Sequence, residues 1–289
     1  MNMKSVKIFL IALVAIAIAA PMSLKAQVFS KKDDLKDLNH KTLMVVLENN
    51  SMMDLMLKKA VESQWELSKV DFCDLDKFEQ IKSDSSYYFL IRVEGIFKKE
   101  REPSIEFLSL LKGGAEANNG IDAMYDVLSL PLQETDDQDG YIIPYLDTYI
   151  NIFEAHVLRV QKKKIAATLG LSWYSNRIQE LRDKTILVNE ADLAPDLTKE
   201  DAENILKETG KVVDEDEIYE AIDNRAPKTA FTICIGPKIE KMGSYCYKMV
   251  ISAESDDIYY YRKQKVNAKA STGFQPDDLK KIAIPGKVL

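Results

Sequence analysis

The chain has 289 residues, 46% hydrophobic and 29% charged, with 39 basic against 46 acidic side chains and three cysteines. That apolar content suffices for real cores, and three cysteines are too few for a disulfide scaffold, so burial must hold the fold. A formal charge of −7 repels phosphate backbones and anionic lipid surfaces, which argues against nucleic acid as a partner.

Residues 1–26 read as a secretory signal peptide: Lys4 and Lys7, an unbroken apolar run from Ile8 to Ala20, and a small-residue exit at Ala26. The run is too short to remain a spanning helix. No cysteine follows the exit, so a lipoprotein is not expected. Loss of Lys4, Lys7 and Lys25 takes the formal charge from −7 to about −10. The expectation is a soluble protein of the periplasm or outer envelope, with no spanning segment in the mature chain.

Residues 27–140 read as a first α/β module. A polar lead-in containing Leu35 and Leu38 precedes the continuous apolar run Leu43 to Leu47, the pattern of a central strand covered on both faces. Ser51 and Asp54 form a capping pattern, and Met53, Met56, Leu57, Ala60, Val61 and Trp65 then share one helical face. Leu67 to Phe72 is a strand and Asp74 to Lys82 a short helix. Tyr87 to Glu94, Ile105 to Leu111 and Val127 to Leu132 are further strands, separated by the charged turn Lys98 to Glu102 and the loop Gly113 to Gly120. Within 141–170, Leu146, Tyr149, Ile150, Phe153, Val157 and Val160 fall on one stripe, predicting a long amphipathic connector helix.

Residues 171–265 repeat the first module. Asp34 to Asn49 recurs 143 positions later as Arg177 to Asp192, with Leu38 matching Leu181, Thr42 matching Thr185 and Val45 matching Val188. The order then continues: strand Thr185 to Val188, cap Thr198 with Asp201, a helix through Ala202, Ile205 and Leu206, strand Gly210 to Val213, helix Asp216 to Ile222, and strands Ala230 to Gly236, Tyr245 to Ser252 and Ile258 to Gln264. The tail 266–289 is polar and expected to be partly loose, so the second copy lacks a counterpart of the connector helix. The fold class predicted is α/β (α+β): two related mixed-sheet modules with helices packed on the sheets.

Sites of chemistry are sparse. His40 and His156 are the only histidines, no nucleophile elbow exists, and no glycine-rich phosphate cradle follows either first strand. No cofactor is expected. Asp136, Asp137 and Asp139, with Gly140, resemble part of a calcium loop, but Thr135 and Leu146 stand where outer ligands belong, so a solvated acidic turn accounts for them better. Cys234 and Cys246 would lie opposite each other if their strands paired about Glu240, which makes a disulfide between them one reading and two free thiols the other. The tyrosine-rich segments at Tyr87 and Tyr88, Tyr245 and Tyr247, and Tyr259 to Tyr261 fit core packing better than a ligand groove.

The export signal ending in Lys25, Ala26 and Gln27, together with the repeated pair at Lys41 and Lys184, resembles a group of uncharacterised secreted proteins of Gram-negative bacteria with a duplicated α/β module. The resemblance implies an envelope location and transfers no site residue. The function expected is a non-enzymatic binding or interaction module of the envelope, using the cleft between its modules or a sheet edge, with an envelope protein or small ligand as partner. The alternative is an envelope hydrolase working through paired carboxylates.

Overall fold

The computed structural model describes residues 35–48, 51–95, 105–135, 140–163, 166, 169–237 and 243–283. Residues 1–34, with the segment expected to be a signal, and Asp136, Asp137 and Asp139 lie outside them. Two five-stranded mixed sheets with packed helices make up the α/β fold. In the first, β1 (Thr42–Val46), β2 (Lys69–Cys73), β3 (Tyr87–Gly95), β4 (Ile105–Lys112) and β5 (Tyr125–Glu134) lie in the order β2-β1-β3-β4-β5. β1 is parallel to both neighbours, and the remaining pairs are antiparallel.

The second sheet has the same order and directions. β6 (Thr185–Asn189) lies parallel to β7 (Gly210–Val213) and to β8 (Thr229–Ile235), and β9 (Tyr245–Ser252) and β10 (Ile258–Lys265) follow antiparallel. The likeness extends to single hydrogen bonds. The N–H of Lys41 donates to the Leu38 carbonyl at 3.0 Å, as that of Lys184 does to Leu181 at 3.0 Å. Both expected helix caps are present: Ser51 and Asp54 form a reciprocal capping box on α1 (Met52–Gln64), and Thr198 accepts from the Asp201 N–H at the start of α4 (Lys199–Leu206).

The two halves turn opposite faces inward. Leu43 and Val45 of β1 point into the large shared core and Met44 and Val46 away from it, whereas Leu187 of β6 points into that core and Ile186 and Val188 away. Since Leu43 matches Ile186, the face that carries α1 is central in the first half and its counterpart carrying α4 is peripheral in the second. α2 (Leu75–Ile81) accordingly covers the outside of the first sheet through Phe78, while α5 (Glu215–Asp223) sends Ile218 and Ala221 into the shared core.

α3 (Leu146–Lys162) packs on α1 within the shared core, with Leu146, Tyr149, Ile150, Phe153, Val157 and Val160 all buried. It is a core element whose polar side chains hold both halves. Glu154 accepts from the Leu67 N–H at 3.0 Å, the Tyr149 hydroxyl donates to the Pro131 carbonyl at 2.8 Å, and Thr148 and Asn151 each donate to Asp256 at 2.9 Å in the β9–β10 turn. Next to it Asp257 accepts from Arg159 at 2.7 Å and Arg177 at 2.8 Å.

The tail departs from expectation. Pro276–Ala283 forms α6, which packs on α4 as α3 packs on α1, with Leu279, Ile282 and Ala283 buried. The counterpart of α3 therefore exists, shortened to eight residues. Its anchor is ionic: Lys248 and Asp278, both fully buried, meet at 2.5 Å, and Asp278 also accepts from the Tyr260 hydroxyl at 2.7 Å and from Arg262. Among the described residues no helix is long and apolar enough to cross a membrane.

Candidate functional site

In open α/β sheets ligands sit beyond the carboxyl ends of the parallel strands, where successive connections leave in opposite directions. Both sheets have such a point between their first and third strands, and the sequence furnishes the two differently. In the first half it is filled. Arg92 from β3 reaches Glu48 after β1, Asp54 on α1 and Glu106 on β4, each at 3.3 Å, and Gln133 donates to Glu106 at 2.8 Å. Burial raises the Glu106 carboxyl, partly offset by Arg92 and Gln133.

In the second half the same place opens into a cleft of about 490 Å³. Ala191, Asp192 and Leu193 follow β6, Glu215 follows β7, and Cys234 to Pro237 end β8; Gln133, Glu134 and Tyr141 come from the first half, and Thr272 and Gly273 close the rim. The cleft thus takes its walls from both halves of the chain. Gly273 is required there: its φ is +82°, and a Cβ would stand 2.5 Å from the Leu193 carbonyl oxygen.

Asp192 organises the floor. Its Oδ1 accepts from the Cys234 N–H at 3.0 Å and the Tyr141 hydroxyl at 3.1 Å, and its Oδ2 from the Thr232 hydroxyl at 2.7 Å. Burial pushes its carboxyl up to about 6 against those three hydrogen bonds, with repulsion from Glu215 adding to the rise. Burial and the Asp192 charge in turn hold the Tyr141 hydroxyl well above the usual phenol range. Beneath lies an aromatic cluster: the Tyr145 ring stacks on Phe231 at 5.8 Å and meets Tyr141 and Tyr219 at 5.6 Å each. Of the described residues lining the cleft, Glu134, Asp192 and Glu215 carry charge and none is Lys, Arg or His.

The cysteines meet, though not in the expected register. Cys234 pairs opposite Lys248, and Cys246 lies one same-face step along, against Gly236, whose absent side chain leaves its sulfur room. As diagonal neighbours the two sulfurs are 3.2 Å apart and unbonded. The hydrogen bond to Cys246 and burial raise the Cys234 thiol; Cys246 is lowered by that same bond against its burial, helped by Lys248 and the Gly273 N–H. The expected turn at Glu240 lies outside the described residues.

His156 is fully buried, its Nδ1 lies 3.0 Å from the Tyr174 hydroxyl, and burial and Arg159 lower it to about 4, so it is neutral at physiological pH. His40 is exposed at the end of a turn. Of the tyrosine segments, Tyr88, Tyr247, Tyr259 and Tyr260 are buried in the cores, while Tyr87, Tyr245 and Tyr261 are half-buried. Asp192 was not singled out from sequence. Its one legible signal is the repeat itself, which puts it just past the end of a central strand. Among the described residues no group of three or more metal-ligating side chains is assembled. Compared with known protein families, curated proteins and solved structures, the chain finds no significant match.

Proposed function

We propose that this chain is an exported, non-enzymatic binding module of the bacterial envelope, and that the cleft between its halves receives the amine or guanidinium group of a small ligand. The observation that carries this reading is the charge of the lining: Glu134 and Glu215 are acidic above the buried Asp192, with no cationic side chain among the described lining residues. A cation entering such a cleft exchanges water for carboxylate acceptors in a partly desolvated setting, where each contact is stronger than on open surface. The position beyond parallel-strand ends supports the same choice. The export reading rests on Lys4, Lys7 and the apolar run that follows them.

One observation favours the hydrolase alternative: a carboxyl lifted to about 6 suits a general acid. Against it, Asp192 is only 3% exposed and accepts three hydrogen bonds from the protein, which is the environment of a structural carboxylate. Calorimetric titration of the mature chain with spermidine, at low and physiological salt, tests the proposal. Binding that weakens with salt and disappears in Glu215→Gln supports it. Absence of binding, with turnover of a glycan or peptide set that Asp192→Asn abolishes, overturns it in favour of the enzyme.

A further inference from the structure

The second feature of the cleft is chemical. Cys234 is part-exposed and contributes to the cleft wall, and Cys246 is fully buried directly behind it, with the sulfurs 3.2 Å apart. Gly236 makes this approach possible, since a Cβ there would sit 3.3 Å from the Cys246 sulfur and 3.1 Å from its Cβ. Closing 3.2 Å to a bond of about 2 Å requires roughly 1 Å of movement, shared between two side chains at the end of a strand pair. Cys234 is the member of the pair that borders the cleft, and Cys246, buried behind it, is positioned only to attack Cys234.

We propose that Cys234 and Cys246 form a redox-active dithiol that exchanges with small-molecule disulfides entering the cleft. In the first step the Cys234 sulfur attacks one sulfur of the incoming disulfide. The disulfide bond breaks, one thiol leaves carrying the Cys234 proton, and a mixed disulfide remains on Cys234. In the second, the Cys246 sulfur attacks Cys234, expels the second thiol with the Cys246 proton, and closes the Cys234–Cys246 bond. The protein loses two hydrogens and two electrons, and the small disulfide is reduced to two thiols. The largest influence lowering the Cys246 thiol, its hydrogen bond with Cys234, is lost once Cys234 carries the adduct; the Lys248 ammonium and the Gly273 N–H remain, against burial, to favour the thiolate. Cys73 provides an internal contrast: it lies in β2 of the first sheet, and no second cysteine adjoins it to resolve an adduct.

The experiment uses the full mature chain, reduced, freed of reductant and treated with 2-hydroxyethyl disulfide, then quenched with acid for thiol counting and peptide mass mapping. The expected result is two equivalents of thiol released per chain, a Cys234–Cys246 crosslink without retained adduct, and Cys73 unmodified. In Cys246→Ser the adduct stays on Cys234 and one equivalent is released. In Cys234→Ser, Cys246 does not react until the protein is unfolded. A stable adduct on wild-type Cys234 with Cys246 free, modification confined to Cys73, or reaction of Cys246 in folded Cys234→Ser at the wild-type rate would each overturn the proposal. If either variant fails to fold, the wild-type mass map alone decides between crosslink and adduct. None of these readouts requires the cleft to bind an amine, so the thiol chemistry and the binding function fail independently.

Discussion

The Lys248 ammonium and the Asp278 carboxylate meet at 2.5 Å with neither side chain exposed to solvent. This contact joins the middle of β9 to the last described helix, the shortened counterpart of α3. Burial by itself would raise the Asp278 carboxyl; the Lys248 charge, its hydrogen bond and those from Tyr260 and the Gln275 N–H outweigh that and hold it below the usual carboxylate range. Removing one member leaves an unpaired charge in the core. Asp278→Ala should therefore cost about 3–5 kcal/mol in urea unfolding, and Lys248→Met with Asp278→Leu together much less than the sum of the single changes. Since the folded carboxyl titrates below its unfolded value of about 3.9, this contribution is present above that pH and fades as the pH falls further. A single Asp278→Ala variant as stable as wild type at pH 7 would show that the pair does not anchor α6.

Asp192 has the opposite pH signature. Its folded carboxyl takes up a proton near 6 and the unfolded one near about 3.9, so between those values the native state holds the extra proton. Its stabilising effect is complete below about pH 4 and is lost as the pH rises through about 6, on the order of 2–3 kcal/mol in total. Asp192→Asn should flatten this part of the stability curve. The amide oxygen can still accept from Tyr141 and the Cys234 N–H, and the Thr232 hydroxyl can rotate to accept from the amide nitrogen. Urea midpoints measured from pH 4 to 8 check this; an unchanged slope in Asp192→Asn would assign the titration elsewhere.

Arg92 holds Glu48, Asp54 and Glu106 at 3.3 Å each. Arg92→Met should cost about 3–5 kcal/mol at pH 7, and the deficit should shrink toward pH 4 as Glu106, raised by burial, protonates. The comparison is chemical denaturation of both proteins at the two pH values. A deficit independent of pH would mean that packing by the arginine stem, not its charge, is what matters there.

Asp256 combines a left-handed backbone, φ +56°, with hydrogen bonds from Thr148 and Asn151 at 2.9 Å and an ion pair with Arg225. Asp256→Gly keeps the conformation and loses the bonds, whereas Asp256→Ala loses both. Alanine should be the more destabilising of the two by roughly 1 kcal/mol, within a total of about 2–4 kcal/mol. Thermal unfolding of the pair measures the difference; equal losses would mean that the turn relaxes.

What was legible in sequence follows from how each signal arises. Strands buried on both faces leave apolar runs such as Leu43 to Leu47, and caps leave Ser51 with Asp54, so the α/β class and the order of elements could be read directly. α6 was missed because Pro276 to Ala283 is short and polar in composition, although Leu279, Ile282 and Ala283 keep helical spacing. Part of what holds it is Lys248, thirty positions away, which local patterning cannot express. The reversal of inner and outer faces was equally hidden, because Leu43 and Ile186 are buried alike and differ only in what covers them. The two-residue shift that puts Cys234 opposite Lys248 is a matter of strand register, which equally apolar strands leave open. Asp192 gave no warning, being one acid among many until the fold brings Tyr141 and Thr232 to it.

Nuclear magnetic resonance titration of isotopically labelled residues 27–289 with spermidine tests the proposed binding site most directly. Amide shifts should concentrate at Ala191, Asp192, Leu193, Cys234, Gly236 and Gly273, saturate together, and vanish in the Glu134→Gln, Glu215→Gln double variant while the rest of the spectrum stays unchanged. Shifts scattered over the acidic surface without saturation, or identical shifts in the double variant, would contradict a cation site in the cleft.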